Sequence, residues 1–168
     1  RKILNYYENQ ITFCGQISDP IYHPDFLAFL EMMDGLGKGL RVATNGTNTK
    51  GMDDKWWEKA YSYGVGENCW YFGVDGLDKK SELYRIGSNF EQVWETMKMG
   101  VAMGHPIVWQ YIIFGYNEHE IEQAKEMAEK EGITLLLINT NRGFDPRSRN
   151  LRKNVQEAYA NFQKSSDK

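Results

Sequence analysis

Cysteine and histidine are scarce in this sequence and neither sign of charge is in marked excess, and each of these lacks removes a class of function. The two cysteines, Cys14 and Cys69, stand far apart in the chain, so they form neither a disulfide framework nor a local metal knuckle. Both sit inside apolar runs and read as buried, reduced thiols, which suits a reducing cytoplasm. The three histidines, His23, His105 and His119, share no metal-ligand spacing and stand beside helix or strand starts. They read as structural or solvated, and no Ser–His–Asp or Cys–His set can be argued from such separations. A net charge of -3 with a pI near 5.7 gives no general attraction to nucleic acid or to an anionic membrane. No apolar run approaches the ~20 residues that cross a bilayer, and no signal-peptide pattern opens the chain. The sequon Asn45-Gly46-Thr47 is therefore an accident of sequence. No strand ends in a lysine placed for a Schiff base, and no carboxylate–histidine metal set is present.

What remains is a soluble chain of 168 residues, long enough to bury one sizeable core. It alternates short apolar runs with amphipathic segments. Strands are expected at Ile11 to Gly15, Leu40 to Thr44, Cys69 to Val74, Ile107 to Phe114 and Ile133 to Ile138. The third is apolar throughout, as expected of a central parallel strand. Between them lie helical patterns. Pro24 suits the first position of a helix that carries Phe26, Leu27, Leu30 and Met33. Asp53 and Asp54 open a second helix with Trp56, Trp57, Ala60 and Tyr61. Ser88-Asn89-Phe90-Glu91 reads as a capping box before Val93, Trp94, Met97 and Val101. Asn117 and Glu120 frame a fourth start, and Gly132 stops it.

Strands that alternate with helices imply a parallel sheet with right-handed crossovers. With no low-complexity linker, one α/β domain spanning 1–168 is expected. It divides into a helix remnant over 1–10, a βα core over 11–142 and a C-terminal amphipathic helix over 147–165. Ile3, Leu4 and Tyr7 at helical spacing, in a chain that starts at Arg1, read as a remnant of something longer.

In such folds the chemistry gathers where strands end. Here those ends are polar: Gly15 through Pro20, Thr44-Asn45-Gly46, Asp75-Gly76, Phe114 through Asn117, and Asn139 through Arg142. Polar groups converging at one end of a sheet suggest a small-molecule site, although polar helix starts would look the same. Gly35-Leu36-Gly37-Lys38-Gly39 imitates a phosphate-binding loop but precedes a strand instead of following one. It reads as a helix stop and turn.

The strand ends carry a resemblance. Cys14-Gly15-Gln16-Ile17-Ser18-Asp19-Pro20 followed by His23-Pro24-Asp25 resembles the Gly-Gly-Glu-Pro loop and His-Pro-Asp helix start of radical S-adenosylmethionine (SAM) enzymes. Asp19 stands for the glutamate, with two extra residues between the glycine and the acid. Thr44-Asn45-Gly46 looks like the family's third strand end. Phe72-Gly73-Val74-Asp75-Gly76-Leu77 is similar to the fourth, with Tyr84-Arg85-Ile86-Gly87 and Phe90-Glu91 following as in the peptide- and protein-modifying branch. Asn117-Glu118-His119-Glu120-Ile121 with Ala124 resembles the fifth-strand exit. Together these motifs cover roughly Ile11 to Arg142.

The resemblance implies a partial (β/α)6 TIM-like barrel, here lacking its first strand, with SAM across the strand ends. It implies that Gly15, Gln16 and Asp19 meet the methionyl ammonium, for which a carboxylate is a sensible acceptor. It gives Arg85 the methionyl carboxylate, and Asp75 and Gln110 the ribose. Without the resemblance, Arg85 reads as a solvated loop cation and Asp19 as a turn residue before proline. The family also holds a [4Fe–4S] cluster on a Cys-x3-Cys-x2-Cys loop after the first strand. That loop is absent from this sequence, and Cys14 and Cys69 cannot replace it. The expectation is the core of a radical SAM enzyme whose full-length parent, with its cluster, makes the 5′-deoxyadenosyl radical. That radical would abstract hydrogen from a substrate, a peptide on the branch's pattern, while the isolated chain is inactive. The competing expectation is a non-catalytic SAM- or nucleotide-binding module that has lost its cluster. A missing first strand would also leave Ile11 to Gly15 as an apolar sheet edge that invites self-association.

Overall fold

The computed structural model describes residues 11–15 and 18–139. The helices expected over 1–10 and 147–165, and Gln16, lie outside the described residues. Five strands, β1 (Ile11–Cys14), β2 (Leu40–Thr44), β3 (Cys69–Gly73), β4 (Ile107–Ile113) and β5 (Thr134–Asn139), form one sheet in the order β1-β2-β3-β4-β5. Every adjacent pair is parallel. Four helices fill the crossovers: α1 (Phe26–Asp34), α2 (Asp54–Tyr61), α3 (Phe90–Ala102) and α4 (Ile121–Lys130). This is a parallel sheet of alternating βα units, consistent with a partial α/β barrel.

A sequential strand order joined by crossovers of one hand stacks the helices on one face of the sheet. Burial follows that geometry. On the helix-covered face Leu40, Val42, Trp70, Phe72, Ile107, Trp109 and Tyr111 are buried with Leu30, Trp57, Tyr61 and Met97 of the helices. Trp57, Trp70 and Trp109 are among the largest fully buried side chains. Each aromatic removes about 150–250 Å² from water, on the order of 4–6 kcal/mol at ~25 cal/mol/Å². On the opposite face Thr12, Cys14 and Arg41 are exposed, and Tyr71 and Gln110 are only half-buried.

That second face corrects two expectations. β3 is not fully buried on both sides: Cys69 and Tyr71 are only half-buried, on the face opposite the described helices. Cys14 is exposed rather than buried, since β1 is an edge strand of the five and Cys14 points away from the helices; Cys69 is half-buried.

Local capping differs as well. Pro24 does not begin α1; it lies in the turn before Asp25, the N-cap, while Pro20 opens a 3₁₀ turn at Pro20–Tyr22. The N-cap of α3 is Asn89, whose Oδ1 accepts from Gln92 N at 3.0 Å. Ser88 is turned inward, with its hydroxyl 3.4 Å from that of Ser81. Asn117 does not cap α4; a 3₁₀ turn over Glu118–Glu120 intervenes. Gly35 ends α1 and a turn leads into Leu40, so the Gly35–Gly39 segment is a helix stop. Among the described residues, no helix is long and apolar enough to cross a membrane.

Candidate functional site

A cleft of about 470 Å³ opens where β1, β2, β3 and β4 end, lined by Gly15, Asp19, Asn45, Gly73, Arg85 and Gln110 among others. The loops around it are fastened to one another by a continuous set of polar contacts.

The loop after β1 is held by Asp19. Its Oδ1 accepts from Ile21 N at 3.3 Å, which caps the 3₁₀ turn. Its Oδ2 accepts from Thr44 Oγ1 at 2.9 Å and from Asn45 N at 2.6 Å, both at the end of β2. A carboxylate offers about four acceptor positions, and these three donors leave one for a ligand cation. Gly15 has no room for a side chain, because a Cβ there would overlap the Ser18 carbonyl. Tyr22, from the same loop, donates from its hydroxyl to Thr47 O at 3.1 Å. Its pKa is raised by burial and, secondarily, by the Asp19 charge.

The loop after β2 is braced from α3. Gln92 Nε2 donates to Gly46 O and Asn48 Oδ1, each at 3.1 Å, and Trp57 Nε1 donates to Asn48 Oδ1 at 2.7 Å. Asn45 is thereby presented to the cleft.

The segment after β3 carries Asp75 and Arg85. Asp75 is fully buried. Its Oδ1 accepts from Ile112 N at 2.7 Å, and its Oδ2 accepts from Arg85 Nε at 2.7 Å. Its carbonyl oxygen accepts from Tyr116 Oη at 3.1 Å and Asn117 Nδ2 at 3.0 Å. Burial raises the Asp75 pKa, and the Arg85 charge and the Ile112 N–H only partly oppose this. Arg85 reaches back across the sheet. It hydrogen-bonds Asn45 Oδ1 through Nη1 and lies so close to Gly73 that a Cβ there would fall 2.5 Å from Nη2 and 2.6 Å from Cζ. A side chain at position 73 would therefore push the guanidinium aside. A small cluster of Leu83, Phe114 and Tyr116, with Tyr84 and Ile112 packed against it, anchors the segment on which Arg85 sits.

Of the residues expected from sequence, Gly15, Asp19, Arg85 and Gln110 are brought together around the cleft. Gln110 faces it from β4, in register with Gly73. Gln16 lies outside the described residues. Asp75 is not on the cleft wall; it sits behind Arg85 with both carboxylate oxygens already accepting. Asn45 and Gly73 were not singled out as site residues. The Thr-Asn-Gly strand end was the signal for the first. Nothing local marked the second, because its constraint comes from an arginine twelve positions later.

Among the described residues no group of three histidine, cysteine or acidic side chains could hold a metal ion. The chain has only two cysteines, so its own residues do not fit a [4Fe–4S] cluster. The cleft lining does hold a carboxylate, Asp19, and a guanidinium, Arg85, the two charges that a zwitterionic ligand would need.

No family model matches the sequence, and no curated protein matches it significantly. The fold, however, is found among solved structures. SuiB of Streptococcus suis superposes with a TM-score of 0.66 at 12% identity, over 94% of this chain and 37% of SuiB. SuiB bound to S-adenosylmethionine matches with a TM-score of 0.65 at 12% identity, and SuiB bound to the precursor peptide SuiA with 0.65 at 11%. Each comparison covers 94% of this chain and 36% of the SuiB chain. The chain thus spans little more than a third of the structures it matches. At this identity the likeness is one of fold: a parallel sheet of alternating βα units, consistent with a partial α/β barrel.

Proposed function

We propose that this chain is the SAM-binding core of a radical SAM enzyme. The observation that carries the reading is that Asp19 and Arg85 line one cleft at the strand ends, each bonded to Asn45, in a fold shared with a protein solved with SAM bound. Asp19 would accept the methionyl ammonium, together with Gly15 and, on the resemblance alone, Gln16. Arg85 would donate to the methionyl carboxylate, a charge-assisted contact that arginine makes two bonds at a time. Gln110 would offer its amide to the ribose.

In a full-length parent, a [4Fe–4S] cluster would supply the electron that cleaves SAM to a 5′-deoxyadenosyl radical for hydrogen abstraction. Its cysteines would come from outside these 168 residues, so no step through the cluster is derived from this chain. A peptide substrate is supported by the SuiB complex with its precursor peptide. Alone, the chain binds SAM without turning it over.

The test is calorimetric titration of the 168-residue chain with SAM. Saturable binding is expected. Arg85→Ala should weaken it about 10- to 100-fold, as the loss of a hydrogen bond to a charged group would. No binding, or binding indifferent to Arg85→Ala, would sink the assignment. SAM binding by the chain, with no 5′-deoxyadenosine formed by a reconstituted, reduced parent, would favour the competing reading of a cluster-free SAM-binding module.

A further inference from the structure

Asp75 is a buried acid beside the cleft that the ligand contacts above do not use. A buried ion pair is by itself weak evidence of a stabilising role, since well-packed apolar residues often serve stability as well. Its surroundings are more telling. Both Asp75 oxygens are occupied, and its carbonyl is pinned by Tyr116 and Asn117. It therefore has little freedom to turn toward the cleft and every reason to stay fixed.

The fixed acid holds a long, flexible cation. Arg85 is gripped at Nε by Asp75, at Nη1 by Asn45, and along its flat face by the bare backbone of Gly73. The Tyr84 ring lies 5.7 Å from its Cζ. The two hydrogen bonds use two of five N–H donors. Nη2 and the second N–H of Nη1 remain for a ligand, and these are the donors that a carboxylate engages as a pair. An arginine left loose would lose rotamer freedom on binding; one held in advance has already done so.

We propose that Asp75 is a positioning residue: it aims the Arg85 guanidinium into the cleft and so makes the site selective for ligands that carry an amino-acid carboxylate. The proposal rests on the reading of the cleft as a SAM site. In it Asp75 acts through Arg85 rather than by meeting the ribose itself.

The experiment compares SAM with decarboxylated SAM, which keeps the sulfonium and the nucleoside but lacks the carboxylate. Both are titrated into the wild-type 168-residue chain, Asp75→Asn and Gly73→Ala. The wild type should prefer SAM by about 10-fold or more. Asp75→Asn should lower that preference about 10-fold through weaker SAM binding, with decarboxylated SAM held within about twofold. Gly73→Ala should do the same, because its methyl group displaces the guanidinium while leaving every polar atom of Asp75 in place, and it carries the test if Asp75→Asn fails to fold. Equal losses for both ligands would make Asp75 a structural support and overturn the proposal. A preference retained in both variants would overturn it too. No SAM binding by the wild type would instead bring down the SAM reading, and the proposal with it.

Discussion

Replacing Arg85 with methionine should destabilise the fold in a way that depends on pH, and the dependence identifies the cause. The substitution keeps much of the apolar stem but leaves Asp75, whose side chain is 0% exposed, without its cation. Breaking a buried pair by removing one partner costs about 3–5 kcal/mol. Arg85 itself is 20% exposed, so water can reach the vacated position, and the lower end, about 3 kcal/mol at pH 7.5, is expected. The Asp75 pKa already lies above its usual value because of burial, and Arg85 is the largest influence opposing that rise. Removing Arg85 raises it further. A carboxyl whose folded pKa exceeds its unfolded value near ~3.9 binds more protons folded than unfolded between the two. Stability therefore falls as pH rises through the folded pKa, and is regained on acidification by up to ~1.4 kcal/mol per pH unit. The neighbouring Tyr111 and Tyr116 have pKa values raised by burial, so they stay protonated throughout this range. Urea unfolding at pH 7.5 and pH 5, each referenced to wild type, should show a smaller deficit for the variant at the lower pH. Adding Asp75→Asn should recover stability at pH 7.5 and flatten the dependence. A deficit equal at both pH values would mean that Arg85 contributes packing alone, and the argument from the buried carboxylate would be wrong.

Two further outcomes follow from the same geometry. Cys14 is exposed and lines the cleft whereas Cys69 is half-buried; iodoacetamide should therefore label Cys14 first, and SAM should slow that labelling, with indifference to SAM counting against its position beside the ligand. Asn45→Ala keeps the backbone N–H that Asp19 accepts but removes the oxygen that holds Arg85. It should weaken SAM about 5- to 30-fold with a melting temperature within about 4 °C of wild type, and calorimetry with parallel melts checks both.

The alternation of strands and helices was legible because it is a local property. Leu40–Thr44 forms the expected strand residue for residue, and Asp53 caps α2 with its side chain on Trp56 N. Other expectations failed where a tertiary partner outbid a local one. Ser88 resembled a cap in sequence, yet its hydroxyl meets Ser81. Asn117 likewise resembled a helix start but spends its amide on Asp75 O, Ile112 O and Phe114 N. The thiol of Cys14 lies in an apolar run and so reads as buried, although the resemblance already makes Ile11 to Gly15 a sheet edge; its exposure follows from that edge and from the face it occupies. The candidate site was legible as motifs and not as roles. Asp75 stood at a strand end, where ligand groups gather; its burial behind Arg85 depends on an arginine ten positions on and a strand contributed from residue 112.

The sequential strand order explains how so short a chain can build a two-ended polar site. Because β1, β2, β3 and β4 are neighbours in space as in sequence, the loops that follow them are neighbours too, and one side chain can span each gap. Asp19 accepts from Asn45 N, Asn45 Oδ1 accepts from Arg85, Arg85 Nε donates to Asp75, and Asp75 accepts from Ile112 N. Asn45 is the central link in this run: its backbone fixes the acid, and its amide oxygen fixes the guanidinium. The separation between a cation-accepting group and an anion-binding group is thereby set by one residue at the tip of a central strand. An amino-acid zwitterion has its charges at a nearly constant spacing, so a site that reads it needs this spacing more than it needs any particular loop length. That reasoning makes the two extra residues between Gly15 and Asp19 tolerable, since Asp19 is located by Thr44 and Asn45 rather than by its distance along the chain from β1.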